Sequence, residues 1–83
     1  MRLLKFWAEW CKPCKQQTEI LKDFKDFPVE SINVEDENNS EIVNKYGVRG
    51  LPTLILLNDE NDVVHTFTSL TTLDKIREVT SVL

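Results

Sequence analysis

Phe6-Trp7-Ala8-Glu9-Trp10-Cys11-Lys12-Pro13-Cys14-Lys15 runs from an aromatic segment into a pair of cysteines separated by two residues. Upstream, residues 2 to 8 are too short and too aromatic for an isolated helix and read as a strand. Downstream, Ile20, Leu21, Phe24 and Phe27 fall at helical spacing, which predicts a helix from Lys12 to about Phe27 with Pro28 as its stop. The cysteines therefore occupy a strand-to-helix turn. In open α/β sheets such turns lie at the carboxyl ends of the strands, where active sites are built.

A C-x-x-C pair is a redox dithiol, half of a zinc site, or two unrelated buried thiols. A closed structural zinc site takes four ligands, and His65 is the one further nitrogen or sulfur ligand in the chain. The inert reading must accommodate two thiols flanking a proline at a helix start. The redox reading gives each position a task. Cys11 falls at the helix N-terminus, where free N–H groups and the positive dipole end stabilise a thiolate and lower its pKa. Cys14, three residues on, shares that side of the first turn and can reach the same sulfur. Pro13 costs little where amides are unpaired anyway, and it stiffens the loop. Lys12 adds positive charge beside Cys11, or is simply a solvated lysine.

The rest of the chain supplies the frame. Its 83 residues suit one domain, 1–83, since a chain this short buries only about 60% of its unfolded surface. With 41% hydrophobic and 29% charged residues, 2 Gly and 3 Pro, it falls outside collagen-like and disordered classes. Ile32 and Val34 alternate in a short strand at 29 to 35. Asn38 with Glu41 resembles a capping box for a second helix through Tyr46, with Gly47 just past its end. Pro52 to Leu57 is nearly all apolar, the pattern of a strand covered on both faces. Turn-forming residues 58 to 62 lead into a strand at 63 to 67, predicting an antiparallel hairpin. Leu73, Ile76, Val79 and Leu83 mark one face of a final helix capped by Thr71 or Thr72. The order is β-α-β-α-β-β-α.

Charge and hydropathy exclude some partners. A net charge of −4 without a basic cluster argues against nucleic acid. The longest apolar run, Leu54 to Leu57, is far too short to cross a membrane. Met1 to Lys5 lacks the apolar stretch and cleavage site of a secretory signal, so a cytoplasmic location is expected. Two cysteines are too few for a disulfide scaffold.

The decapeptide at 6 to 15 resembles the active-site segment of the thioredoxin family, and Lys45-Tyr46-Gly47-Val48-Arg49-Gly50-Leu51-Pro52-Thr53 resembles its cis-proline segment. The resemblance extends over essentially the whole chain from Leu3. It implies a thioredoxin fold in minimal form, an α/β domain whose four-stranded mixed sheet has the order 2-1-3-4 and is flanked by three helices. It also implies a protein-disulfide reductase in which Cys11 attacks and Cys14 resolves. Pro52 would be cis and pack against the pair, and the backbone at Gly50 and Leu51 would pair with an extended substrate. Trp10 matches an exposed indole beside the cysteines, whereas Trp7 is expected in the sheet core. No bound cofactor is implied. Reducing equivalents would come from NADPH through a thioredoxin reductase, the substrates would be disulfide-containing proteins, and the chain would act as a monomer.

The chain departs from the family pattern in three places. The additional strand and helix that usually precede the active-site strand have no room here. Glutaredoxins share that reduced core, which keeps a glutathione-dependent enzyme in view, although their usual C-P-Y-C motif is absent. A non-enzymatic module binding a partner around Trp10 and Leu51 is a further alternative. Second, Lys5 stands where thioredoxins hold a buried aspartate, and Ser31 where relatives have its lysine partner. The long stem of Lys5 is expected to carry its ammonium to water, and as a neutral amine it could assist deprotonation of Cys14. Third, Thr68 falls about where the family has a glycine lining the substrate groove. His65 and Glu35-Asp36-Glu37 read as solvated surface.

Overall fold

β1 (Arg2–Trp7) is the strand on which the rest is assembled. In the computed structural model, which describes residues Met1–Leu83, four of its six residues are buried. It is paired on both edges. β2 (Val29–Asn33) lies parallel to it, with Leu3 opposite Val29 and Trp7 opposite Asn33. β3 (Thr53–Leu57) lies antiparallel on the other edge, with Arg2 opposite Leu57 and Phe6 opposite Thr53. β4 (Val63–Phe67) completes the sheet antiparallel to β3, giving the order β2-β1-β3-β4. This is the expected mixed sheet. Every residue of β3 is buried, as an uninterrupted apolar run in a sheet covered on both faces should be.

The period-two alternation of side chains divides the core into two layers. Leu3, Leu54 and Leu56 pack with Leu21, Phe24, Phe67 and Ile76 on one face. Leu4, Phe6, Ile32, Ile55 and Leu57 form the other, against Ile42 and Tyr46. Full burial of each such side chain contributes about 1.5–3 kcal/mol. The three helices follow from these faces. α1 (Lys12–Leu21) and α3 (Leu73–Ser81) bring Leu21 and Ile76 to the first layer, and α2 (Ser40–Tyr46) covers the second.

Element ends differ from the sequence expectation in ways the packing explains. α1 stops at Leu21, not near Phe27. A helix continued to Phe27 would be about 24 Å long, exceeding the roughly 20 Å strand it must cross. The chain instead turns back so that the Leu3 amide can donate to the Pro28 carbonyl at 2.9 Å. Phe24 and Phe27 still reach the core from this irregular return, edge to face with ring centroids 4.8 Å apart. β2 ends at Asn33, whose side chain accepts the Glu35 amide at 2.9 Å, while Val34 packs beyond the strand.

Asn38 does not cap α2. Asp36 accepts the Asn38 amide at 2.9 Å and opens a short 3-10 turn (Glu37–Asn39), which feeds directly into α2. Gly47 closes α2 in the left-handed conformation, at φ 63°. Thr72, not Thr71, caps α3 by accepting the Lys75 amide. Leu83 lies past the end of α3 and is exposed, so the buried face of that helix is shorter than its apolar pattern suggests.

Candidate active site

The β1 to α1 turn places Cys11 at the N-cap of α1 in an extended conformation, with Lys12 and Pro13 as the first helical residues. Cys11 and Cys14 form a disulfide across a Cα–Cα separation of 5.2 Å. The Cys14 amide donates to the Cys11 sulfur at 3.1 Å. That contact is the N-cap bond of the helix with sulfur as acceptor, and it would persist to a thiolate at Cys11. Both cysteines are buried, in a cluster with Ala8 against which Trp7, Val34 and Leu51 pack. Trp10 beside them is 67% exposed, as expected. Trp7 is only half-buried and leans on the cysteine cluster, a correction to its expected place in the sheet core.

The Leu51-Pro52 peptide is cis. Pro52 is buried at the head of β3, and Leu51 reaches the cysteine cluster. Gly50 and Thr68 come together in a separate hollow of about 310 Å³ beside Arg49 and Thr53, and no cysteine lines it. Thr53 ties this segment down by donating its hydroxyl to the Gly50 carbonyl at 2.6 Å. Lys12 and Pro13 are exposed on the turn.

Lys5 is buried along its stem, and its ammonium is part-buried at the wall of an open cavity under α1. Alternation along β1 puts it on the face covered by α1, where it is 7% exposed. Its ammonium donates to the Thr18 hydroxyl at 2.8 Å, and Thr18 in turn donates to the Cys14 carbonyl at 3.1 Å. It forms no ion pair, and burial pushes its pKa below the ordinary lysine value. Lys5, Trp7, Cys14, Thr18 and Ser31 line one cavity of about 380 Å³. The positions singled out at Lys5 and Ser31 thus meet next to the cysteine pair.

One supporting contact was not anticipated from sequence. Gln17, fully buried on α1, donates to the Thr71 carbonyl at 2.9 Å and accepts the Thr71 amide at 2.8 Å. Its signal was its phase: Cys14, Gln17 and Leu21 share the inward face of the helix. His65 lies on β4 with its ring 4.4 Å from that of Phe67, and no group of three or more His, Cys, Asp or Glu side chains converges.

The family model described as thioredoxin matches residues 1–81. The chain belongs to the thioredoxin family. The thioredoxin of Rickettsia bellii is 42% identical over 57 residues, an alignment covering 65% of this chain and 54% of that protein. The chain spans about half the length of the curated thioredoxins it matches. A structure of a mutant thioredoxin from Halobacterium salinarum superposes with a TM-score of 0.78 at 33% identity, covering 94% of this chain and 69% of that one. A chain in the crystal structure of a complex of ferredoxin:thioredoxin reductase and thioredoxin f2 superposes at 0.75 with 22% identity, covering 98% and 76%. These likenesses agree with the thioredoxin fold already described, a four-stranded mixed sheet with three helices.

Proposed function

We propose that the chain is a thiol-disulfide oxidoreductase that reduces disulfides in proteins. One observation carries this reading: the Cys11 sulfur caps α1 and is already bonded to Cys14, in a chain of the thioredoxin family. Cys11 as thiolate attacks a substrate disulfide, forming a mixed disulfide and releasing one substrate thiol. Cys14 as thiolate then attacks the Cys11 sulfur, closing the Cys11–Cys14 bond and releasing the second substrate thiol. The helix N-terminus, the Cys14 amide and the neighbouring Lys12 all favour the anionic sulfur of Cys11.

Substrate is held beside Trp10 by the backbone ahead of Pro52. An extended peptide pairs there with the main chain of Gly50 and Leu51, a mode that accepts many sequences. Thr68, which lines a hollow together with Gly50, would limit the bulk admitted at that end. No bound cofactor takes part. A thioredoxin reductase drawing on NADPH returns the oxidised pair to the dithiol, and the complex of ferredoxin:thioredoxin reductase with thioredoxin f2 lends support to a reductase partner.

The test is reduction of insulin disulfides with NADPH and a thioredoxin reductase, run beside a parallel assay with glutathione and glutathione reductase. NADPH consumption that requires Cys11 in the first assay supports the proposal. Turnover confined to the second makes the protein glutathione-dependent, and turnover in neither overturns the enzymatic reading.

A further inference from the structure

Lys5 is a buried cation without an anion. Its stem crosses the face of β1 under α1, its ammonium uses one donor on Thr18, and no carboxylate pairs with it. An ammonium in this setting loses solvation that one neutral hydroxyl replaces only in part. The cavity it enters is lined by Cys14. The other charged groups facing that space are Glu9 on the turn and Lys15 and Glu19 on α1, and β2 contributes only neutral Ser31. All three are exposed residues at the rim, where water screens them. With Cys14 in the disulfide the cavity holds no buried negative charge. When the pair is reduced, an anionic Cys14 sulfur supplies one.

We propose that Lys5, anchored by Thr18, is a positioning residue that serves as the counter-charge of the Cys14 thiolate and so activates Cys14 for the resolving step. The inference rests on the dithiol-disulfide reading and assigns it an electrostatic partner. Lys5 keeps its own proton throughout. The Cys14 thiol releases its proton to solvent, and the thiolate held by Lys5 attacks the Cys11 sulfur of the mixed disulfide. The Cys11–Cys14 bond forms as the Cys11–substrate bond breaks, and the electron pair departs on the substrate sulfur, which takes up a proton from solvent. Cys11 is stabilised from the helix end and Cys14 from beneath, by separate charges.

Because coupling is reciprocal, a Lys5 ammonium that favours the Cys14 thiolate must itself be held more tightly protonated once that thiolate forms. Two measurements follow, and neither requires the protein to turn over a substrate, so their failure is distinct from failure of the enzymatic reading. In a Cys11→Ser background, thiolate absorbance reports ionisation of Cys14 against pH. Adding Lys5→Met should lower the thiolate fraction at pH 7 about tenfold, the consequence of removing the opposite charge of Lys5 from the cavity that Cys14 lines. Adding Lys5→Arg, which keeps a cation and cannot act as a base, should restore the curve. An unchanged curve with Lys5→Met, or equal losses with Met and Arg in folded protein, overturns the proposal. In the parent protein, NMR titration of the Lys5 side chain should show a higher pKa in the reduced state than in the oxidised state. The same pKa in both overturns it, whether or not the variants fold.

Discussion

Gln17 and Thr71 grip each other through two hydrogen bonds across 54 residues of sequence: the amide side chain donates at 2.9 Å and accepts at 2.8 Å from the same backbone residue. The contact fixes α1, which begins at the cysteines, to the segment that caps α3. Neither partner has access to solvent in exchange, since Gln17 is fully buried and Thr71 is 6% exposed. Gln17→Leu therefore strands a buried amide and a buried carbonyl. It should cost about 2–4 kcal/mol, at 1–3 kcal/mol for each unsatisfied group, partly offset by the apolar side chain. Urea unfolding followed by circular dichroism measures the loss, and a change below about 0.5 kcal/mol, the range of an inconsequential substitution, would show the clamp to be dispensable.

Separating the two cysteines separates the two steps proposed for them. Cys14→Ser leaves Cys11 able to attack but removes the resolving thiol, so a covalent adduct with substrate should accumulate and steady-state turnover should stop. Cys11→Ser should form no adduct at all under the same conditions. Mass spectrometry after mixing with oxidised insulin distinguishes them, and adducts of equal yield in the two variants would contradict the assignment of roles.

Burial of Lys5 makes a prediction about stability and pH. Its folded-state pKa lies below the ordinary value of 10.5 because burial disfavours the ammonium. The folded chain thus binds this proton less tightly than the unfolded chain. The resulting penalty is complete below the folded pKa and fades as pH rises to the unfolded value. Lys5→Met should accordingly raise the urea midpoint of the oxidised protein at pH 7, with a gain that narrows as pH approaches 10.5. A gain independent of pH would mean that packing alone accounts for it.

Gly47 tests local conformation without contact. Its φ is 63°, and a Cβ placed there would meet nothing within 4 Å. Gly47→Ala should cost about 1–2 kcal/mol from the left-handed backbone alone. Thermal unfolding should record that loss, and a change below about 0.5 kcal/mol would show that the left-handed conformation is not required there.

Much of this molecule is legible from short stretches of sequence. Val-rich and Leu-rich runs with period two or none, the helical phase around Cys14 and Leu21, and Gly47 past the end of α2 are local patterns, and the structure follows them. The end of α1 is not legible in that way. The apolar spacing through Phe27 is compatible with a longer helix, and only the length of β1 and the Leu3 to Pro28 hydrogen bond make the chain turn back early.

The sequence by itself determined the order of elements and the place of Cys11 and Cys14 at a strand-to-helix turn, because each depends on residues within a few positions of one another. The tertiary structure alone decided the fate of Lys5. A lysine on a strand is free to reach water until a helix is laid across it, and α1 covers the stem and supplies Thr18 as a partner for the ammonium. It likewise decided that Gln17 would meet Thr71, since two residues 54 apart share no local pattern and become neighbours only when α1 and α3 are packed on one face of the sheet.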